Sequence, residues 1–440
     1  MRTHLFDLTS AARRADEQLS AMGGPARDEL AARAQERASA LGLVRGTTPI
    51  PLVLSPSALP REDLADLGRG ARLVVSALVK VARDLIEERP EKARLLFHHL
   101  SPLELEALAT RRSEAEELLH GRVDWFVDRE GRPKALEVNA TIPAMQVYSD
   151  AAVRGWLEAR GARVAGNPSN AEWLVDALLR GARSRKAPLR VQLLHREGDP
   201  QRAELVELAR ILAGRGVEAR TCTPADVRLD GDPRGVVYRH LFARYVTAES
   251  ELGKAFLDPE RHGIWNRVDG WLETKGLFAE LSLQAGARFL TAEEQAAVEE
   301  LVPWSRLLDD VADAELGDGA RFVLKKSHDY GGKSVVIGHE TGAAAFRAAL
   351  TQARADEPGS WIAQELVDAP PLERWLCTPS GAVRKPLFLD ISTYASLIEG
   401  VPDGGSVVRA APGRIVNIAG GGGVAPLFAD DVLEEALSVG

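Results

Sequence analysis

The chain has few cysteines and no long apolar run, and each shortage argues against a class of protein. Only two cysteines occur among its 440 residues, Cys222 and Cys377, and their wide separation does not match metal-ligand spacing. A disulfide scaffold and a zinc ribbon therefore do not fit. The most apolar helical stretch, LVVSALVKVA, is short and interrupted by Lys80, so it falls well under the roughly 20 residues of a membrane span.

The chain lacks a net positive charge, because acidic residues outnumber basic ones by 64 to 55, and this bears on its binding partners. The formal net charge is −9 at pH 7, whereas nucleic acids and anionic membranes attract a basic surface. The N-terminus lacks the continuous apolar core of a signal peptide. We therefore expect a cytoplasmic protein without a nucleic-acid or membrane partner. The sequence does not indicate an oligomeric state.

Lysine is scarce, with ten residues against 45 arginines, so the position of each lysine is informative. Three of the ten fall within nine residues, at Lys325, Lys326 and Lys333. The remaining composition, 45% hydrophobic and 27% charged, is that of a globular protein, and 440 residues predict two to four domains.

The order of helical and strand-like patterns predicts an α/β protein built from several parts. Helical spacing of apolar residues predicts helices over 10–41 and 61–119. Residues 190–240 give a strand, a helix and two strands in a Rossmann-type order, although a GxGxxG loop is absent. A helical zone is expected to about residue 315, and the last 70 residues are expected to be rich in strands and turns.

A predicted hairpin over 122–139 places two carboxylates on one face. If Glu130 and Gly131 form its two-residue tip, Asp124 lies opposite Glu137, and by the same register Arg122 lies opposite Asn139. Opposed side chains begin about 4.5–5.5 Å apart at Cβ, so two carboxylates repel unless a cation separates them or one is protonated. Oxygen ligands of this kind suit Mg²⁺. A solvated polar sheet face explains the pattern equally well, and a three-residue turn would change the register.

A strand ending near Lys325 is followed by a glycine-bearing loop in the segment RFVLKKSHDYGGKSVVIG. Glycine lets backbone amides approach an anion, and lysine supplies point charge for phosphate. The loop is not a Walker A motif, because GxxxxGK[ST] is absent. Taken alone, a plain solvated turn is the more common explanation.

About 30 residues later, WIAQELVD predicts a strand that ends in Gln364 and Glu365. A strand end of this kind can bind adenine, with the carboxylate accepting from the amino group and the next backbone amide donating to the ring. An ordinary buried strand with a polar end is the alternative.

Together these segments resemble the ATP-grasp superfamily, whose members activate a carboxylate with ATP. The segment GRVDWFVDREGRPKALEVNATIPAM resembles the metal hairpin of D-alanine–D-alanine ligases, in which an Asp, a Glu 13 residues later and an Asn two beyond hold magnesium. The resemblance implies metal ligands at Asp124, Glu137 and Asn139. It also implies that Arg122 stabilises the reacting groups.

The other segments extend the resemblance to the nucleotide. FVLKKSHDYGGKSVVIG resembles the phosphate-binding strand and mobile loop, and WIAQELVD resembles the hinge that grips adenine. Lys275 lies 50 residues before Lys325, close to the separation of the two ATP lysines in such ligases. The tail VVRAAPGRIVNIAGGGG resembles the arginine and Asn-then-glycine segment that stands shortly before the metal hairpin in peptide-forming members. This resemblance implies a catalytic role for Arg409 and a role for Asn417 on the phosphate or metal side. The implied nucleotide-binding residues are Lys275, Lys325, Ser327, Gly331, Gly332, Lys333, Gln364, Glu365, Leu366 and Glu373.

The order of these segments differs from the usual ATP-grasp order, because the metal hairpin comes first. A circular permutation explains the difference, as in the group related to glutathionylspermidine synthetase. The resemblance thus implies an α/β (α+β) fold, a circularly permuted ATP-grasp with a Rossmann-like pre-ATP-grasp domain and an N-terminal helical region. The expected parts are a helical region 1–118, the metal hairpin 119–150, linker helices and a Rossmann-like unit 151–288, an ATP-grasp N-lobe 289–367, and the rest of the C-lobe 368–440.

By this resemblance, the reaction is ligation of a carboxylate to an amine through an acyl phosphate, with release of ADP and phosphate. The implied cofactors are ATP and two Mg²⁺ ions, and the implied substrates are small molecules such as an amino acid, a peptide or a polyamine. A kinase acting on a small molecule and an ATP-binding protein without turnover are the alternatives.

Four polar residues are set aside at this stage. His98 and His99 lie in an apolar helical stretch and fit packing or surface positions better than ligand positions. The polarity of a loop explains His328 as well as a phosphate contact does. For Arg239, an ordinary surface arginine is a simpler interpretation than a carboxylate-binding one.

Overall fold

The computed structural model describes residues 9–110, 118–329, 332–418 and 420–439. The N-terminal region is mainly helical, as predicted, and part of its predicted second helical stretch, 111–117, lies outside the described residues. Its helices are α1 (Ser10–Ala21), α2 (Gly24–Ala40), α3 (Arg61–Glu88), α4 (Pro90–Phe97) and α5 (Pro102–Thr110). Short strands β1 (Val44–Arg45), β2 (Thr48–Pro49) and β3 (Ser57–Leu59) lie in the link between α2 and α3. In the described ranges, no helix is both long and apolar enough to cross a bilayer.

The predicted hairpin forms strands β4 (Gly121–Val127) and β5 (Pro133–Asn139), followed by helices α6 (Gln146–Ala159) and α7 (Asn170–Gly181). The two-residue tip is wrong, because residues 128–132 form the turn and the amide of Asp128 donates to the carbonyl of Arg132 at 3.0 Å. A bulge shifts the register after Asp124, so that Trp125 pairs with Ala135. The longer turn and the bulge offset each other, and Asp124 lies opposite Glu137 as predicted.

The Rossmann-type prediction is confirmed as a parallel α/β unit. Its elements are β6 (Arg190–His195), α8 (Arg202–Gly214), β7 (Glu218–Cys222), β8 (Gly235–His240), α9 (Glu251–Leu257), α10 (Pro259–His262) and β9 (Ile264–Trp265). The strands pair in parallel in the order β7–β6–β8–β9. Strand β9 lies in the zone that was expected to be helical, and α11 (Lys275–Leu283) follows it.

An antiparallel sheet in the order β10–β13–β11–β12 carries the lysine-bearing strand. Its region contains α12 (Ala292–Leu301), β10 (Ser305–Leu307), α13 (Asp313–Leu316), β11 (Phe322–Lys326), β12 (Val335–Ile337), α14 (Gly338–Thr341), α15 (Ala343–Arg354) and β13 (Trp361–Glu365). Leu324 and Ala363 pack from the sheet against Phe346 and Leu350 of α15. This packing leaves the opposite face of the sheet for other contacts.

Strands from both ends of the chain form one sheet in the order β17–β16–β15–β4–β5, with β14 paired to β15. The C-terminal elements are β14 (Leu372–Thr378), β15 (Gly381–Ala395), β16 (Ser406–Ala411), β17 (Gly423–Ala425), β18 (Leu427–Ala429) and α16 (Asp430–Val439). Helix α16 falls in a region expected to hold strands and turns. It buries Val432, Leu433 and Ala436, a helical spacing too short to stand out in the sequence.

One face of this mixed-origin sheet belongs to the main hydrophobic core. Val123 and Trp125 of β4, Ile391 of β15 and Val408 of β16 are fully buried there, together with apolar residues of α3. Because side chains alternate across a strand, the residues between them project from the opposite face. The apolar pattern of three distant segments therefore decides which polar residues meet.

We predict that the crossing of α2 and α6 depends on Gly155. A Cβ at this position would lie 2.5 Å from the backbone nitrogen of Ala38, closer than real contacts allow. Gly155→Ala should therefore lower the free energy of unfolding by about 1–3 kcal/mol. The matched control is Gly214→Ala at the exposed end of α8, where a Cβ meets no atom within 4 Å. Thermal unfolding of both variants tests this, and equal melting temperatures would contradict the close crossing.

Candidate functional site

A cavity of about 230 Å³ is lined by residues of the lysine-bearing sheet and of the polar face of the mixed-origin sheet. Most of the sequence-predicted residues line it, although they come from widely separated segments. They are Arg122, Asp124, Glu137, Asn139, Lys275, Lys325, Gly332, Lys333, Gln364, Glu365, Leu366, Arg409 and Asn417. The cavity thus brings lysines, carboxylates and arginines into one space.

Buried arginine–aspartate contacts form the floor of this cavity. Asp124 accepts from Nε of Arg122 at 2.7 Å and from Nη2 of Arg409 at 2.8 Å. Arg409 also donates to both oxygens of Asp390, which lies opposite it on β15. Burial alone would raise the pKa of Asp124, but Arg122 and Arg409 outweigh it and hold this pKa below its ordinary value. The floor of the cavity therefore consists of charged side chains that already form ion pairs with each other.

Asp390 lines the cavity but was not among the site residues predicted from the sequence. Burial raises its pKa to about 6, although Arg409 acts in the opposite direction. Its sequence signal is a lone carboxylate inside the apolar strand segment LFLDIST. An unpaired carboxylate at such a position would be costly, so it indicates a partner on a neighbouring strand.

Two lysines face the carboxylates across the cavity. Nζ of Lys275 lies 3.4 Å from Oε2 of Glu137 and donates to the carbonyl of Asp329 at 2.8 Å. Nζ of Lys325 donates to Oε1 of Gln364 at 2.6 Å. Burial lowers the pKa of Lys325 to about 8, with Glu137 opposing the change and Lys275 adding to it. An anion between the two lysines would relieve their repulsion.

Apolar side chains line another part of the cavity. Phe126 and Val367 pack together with Leu136 and Val416, and all four line the space beside Leu366. The backbone amide of Leu366, predicted to donate to adenine, has another partner in the structure. It donates to the carbonyl of Arg321 at 2.8 Å. That amide is engaged in the sheet, so the adenine contact predicted for it is not available in this arrangement.

Three predicted nucleotide residues are not placed in the cavity. Ser327 is buried and caps α11, where its Oγ accepts from the amide of Gly276 at 2.8 Å. Glu373 faces outward on β14 with a half-exposed side chain, 4.0 Å from Arg384. Gly331 lies outside the described residues. Ser327 instead fixes the start of the helix that carries Lys275, since the Lys275 amide donates to its carbonyl at 2.9 Å.

The predicted Mg²⁺ ligands fit this ion in donor chemistry. Asp124, Glu137 and Asn139 present oxygen atoms on facing strands, and Asp390 adds a carboxylate beside Asp124. Nδ2 of Asn139 donates to Asp124 at 3.1 Å, so the side-chain oxygen of Asn139 points away from Asp124. Within the described part of the chain, no three His, Cys, Asp or Glu side chains are grouped as a metal site, and the predicted set has only two carboxylates.

The residues set aside in the sequence have defined positions. The rings of His99 and His328 stack with centroids 4.7 Å apart, and His98 lies edge-on to His99 at 5.6 Å. These histidines therefore join the α4–α5 connection to the start of the glycine loop. Arg239 is fully buried, so the surface interpretation is wrong. Its guanidinium donates to backbone carbonyls, including those of Asn266 and Arg267 at 2.7 Å.

Comparison with known proteins defines the class of fold. No protein-family model and no curated protein matches the sequence. A glutathione synthetase-like effector from Globodera pallida is similar in structure, with a TM-score of 0.64 and 14% identity over 93% of this chain and 98% of that one. A putative gamma-glutamylcysteine synthetase from Methylobacillus flagellatus has a TM-score of 0.41 and 11% identity over 83% and 93% of the two chains. The first comparison shows that the chain has a glutathione synthetase-like fold.

We predict that the half-buried stack of His99 and His328 makes stability fall at acidic pH. Burial lowers the pKa of His99 to about 3, and its neighbours His328 and His98 act in the same direction. Below the ordinary value of 6.5, the unfolded chain therefore binds more protons at His99 than the folded chain does. Stability is lost as the pH falls from 6.5 towards 3, by up to about 1.4 kcal/mol per pH unit.

His99→Phe keeps a ring in the stack and removes the titration. Its free energy of unfolding should therefore decrease less than that of the unchanged protein between pH 7 and pH 5, as measured by urea unfolding. His339→Gln, at an exposed position, is the control and should keep the original pH dependence. If His99→Phe and the unchanged protein had the same pH dependence of unfolding, protonation of His99 would not contribute to the loss of stability.

Proposed function

We propose that the chain is an ATP- and Mg²⁺-dependent ligase with a circularly permuted ATP-grasp arrangement. It activates a small-molecule carboxylate as an acyl phosphate and couples it to an amine, such as that of an amino acid, a peptide or a polyamine. The observation that carries this proposal is the shared cavity, in which Lys275 and Lys325 face Glu137 and the buried Arg409. Anion-binding and cation-binding groups stand opposite each other there, as transfer of a phosphoryl group requires.

The lysines account for the nucleotide phosphates in this proposal. Lys275 and Lys325 are held at fixed positions by Asp329 and Gln364, and phosphate oxygens would replace or extend these contacts. Lys333 lines the same cavity from the glycine loop. The apolar side chains around Phe126 suit a heterocyclic base, which would lie next to the Glu365–Val367 segment.

Asp124, Glu137 and Asn139 would hold Mg²⁺, with Asp390 as a further oxygen donor. When bound, the ion supplies neutralisation of charge on the β- and γ-phosphates. Arg122 and Arg409 already have raised pKa values, because burial, which lowers them, is outweighed by neighbouring carboxylates. Both arginines therefore stay positively charged and can stabilise negative charge on the transferring phosphoryl group or on the tetrahedral oxyanion.

In this proposal, the glycine loop would shield the reaction from water. Gly332 has a φ of +74°, and a Cβ there would lie 2.2 Å from Cγ2 of Ile415. Gly332 therefore packs closely against Ile415 of the 412–418 segment, on the other side of the cavity. Exclusion of water protects an acyl phosphate from hydrolysis, which is what a ligase needs before the amine attacks.

Two further observations support the assignment. Strands β4 and β5 lie in the same sheet as β15–β17, which is the arrangement expected if one lobe is assembled from both ends of the chain. The structurally similar Globodera pallida protein is glutathione synthetase-like, and a synthetase of that kind is consistent with ligase chemistry.

We predict that Glu137→Gln lowers the rate of ADP formation by about 100-fold, because the substitution removes a charge that would hold Mg²⁺. The outward-facing Glu373→Gln is the matched control and should leave both the rate and the KM for ATP unchanged, since that side chain lies outside the cavity. Coupled-enzyme measurement of ADP tests both variants, with melting temperatures to confirm folding. Near-normal turnover of Glu137→Gln would remove the metal assignment.

Ligation and simple phosphoryl transfer can be separated with hydroxylamine. We expect Mg²⁺–ATP and a pool of carboxylates to give ADP together with a hydroxamate, because hydroxylamine attacks an acyl phosphate and displaces phosphate. The control omits ATP, and Glu137→Gln serves as the inactive enzyme. A stable phosphorylated product without hydroxamate would instead identify a kinase, and ATP binding without any ADP formation would identify a protein without turnover.

A further inference from the structure

A second cavity, of about 390 Å³, adjoins the buried arginines. Arg122, Arg409 and Asn417 line both this cavity and the first, so the two spaces meet at these side chains. A molecule in the second cavity can therefore reach the groups that would stabilise the transferring phosphoryl group. Its volume is in the range of small-molecule sites, roughly 300–1,000 Å³.

Parts of the chain with no other evident role in the site build the walls of this cavity. Arg45 comes from β1, and Ala144, Met145 and Tyr148 follow the β4–β5 hairpin. The segments 196–201 and 240–245 follow the parallel strands β6 and β8, at the edge of the sheet where α/β proteins commonly bind ligands. The N-terminal region and the parallel unit thus meet around one space.

The walls carry an excess of positive charge. The charges of Arg122 and Arg409 are balanced by Asp124 and Asp390, but the side chain of Arg45 forms no ion pair or hydrogen bond with the described residues. Arg196 lies 3.8 Å from Asp199, the acidic residue of the lining, and is half exposed. His240 adds no charge near neutral pH, because burial lowers its pKa to about 4 against the influence of Asp199.

Tyr148 supplies an independent sign of a ligand. The residue is 2% exposed and lines the cavity, yet its hydroxyl has no hydrogen-bond partner among the described residues. Burial raises the pKa of this hydroxyl, so it remains a neutral donor. Buried hydroxyls are nearly always paired, because an unpaired one loses its bonds to water without replacement. An acceptor atom of a bound molecule would complete it.

The backbone around these residues is fixed. The amide of Gly46 donates to the carbonyl of Pro200 at 2.7 Å, which ties the short β1–β2 hairpin to the segment after β6. Met145 has a φ of +92°, and its amide donates to the buried carboxylate of Glu204 at 3.0 Å. Strained backbone that is held by buried contacts is typical of functional sites. These hydrogen bonds therefore hold the backbone near Arg45, Tyr148 and Arg196 in place.

Resting on the proposed ligase function, we infer that this cavity binds the carboxylate substrate and that this substrate carries a second anionic group. The reacting carboxylate lies at Arg122 and Arg409, and Arg45 and Arg196 bind the second anionic group. Tyr148 donates its hydroxyl proton in a hydrogen bond to an oxygen of the substrate. The substrate class is thus a small dianion, which distinguishes it from monocarboxylates of the same length.

The test measures binding without ATP, using the full chain and ligand-observed NMR. The probes are the unbranched dicarboxylates from succinate to pimelate, each compared with the monocarboxylate of equal chain length. We expect at least one dicarboxylate to bind about 10-fold tighter than its monocarboxylate, since one charge-assisted contact is worth that ratio. Arg45→Gln and Arg196→Gln should each remove most of this preference, and the double variant should remove all of it. Arg33→Gln, on the exposed face of α2, is the matched control and should keep it.

Failure of this inference can be told apart from failure of the ligase proposal. If no dicarboxylate binds better than its monocarboxylate, or if Arg45→Gln and Arg196→Gln keep the preference, the dianion site is wrong. Hydroxamate formed from monocarboxylates alone would overturn the dianion site and leave the ligase. Arginine-dependent dicarboxylate binding, with no hydroxamate from any mixture, would support the site and overturn the ligase.

Discussion

The buried pairing of Arg122 and Arg409 with Asp124 and Asp390 is the contact on which the rest of the site depends. It joins β4, which comes early in the chain, to β15 and β16, which come late, and its two arginines line both cavities. Removing one partner would leave an uncompensated charge in a dry environment, so the four charges constrain each other. The same pairing keeps both arginines positively charged and holds their side chains in fixed orientations.

That pairing is possible because the core fixes one face of the sheet. Val123, Trp125, Ile391 and Val408 bury against α3 and its neighbours, and alternation turns the intervening charged residues to the other face. The lysine-bearing sheet buries its own other face against α15, so its polar residues are free to line the cavity. The cavity is therefore a consequence of two sheets that each bury one apolar face. Ser327 adds a local constraint, since it sets the start of the helix that carries Lys275.

Most helices and strands followed from local apolar spacing, although β9 and α16 were not predicted. The opposition of Asp124 to Glu137 followed from hairpin geometry, because the longer turn and the bulge offset each other. Spacing along the chain does not bring Glu373 to the cavity, because it does not decide which way a side chain on an edge strand points. Ser327 does not line the cavity either, since its hydroxyl caps a helix that begins 52 residues earlier in the chain.

By itself, then, the sequence determined most strands, their buried faces and the facing positions of Asp124 and Glu137, because these depend on neighbours within one element or one hairpin. Only the tertiary structure decided which elements meet. It paired Asp390 with Arg409, stacked His99 on His328, and buried Arg239 among backbone carbonyls. It also brought Arg45 and Arg196, from regions without a recognisable motif, to one cavity beside the arginine pair. Such contacts join residues far apart in the chain, and they are set by how whole sheets and helices bury their apolar faces, which no local spacing encodes.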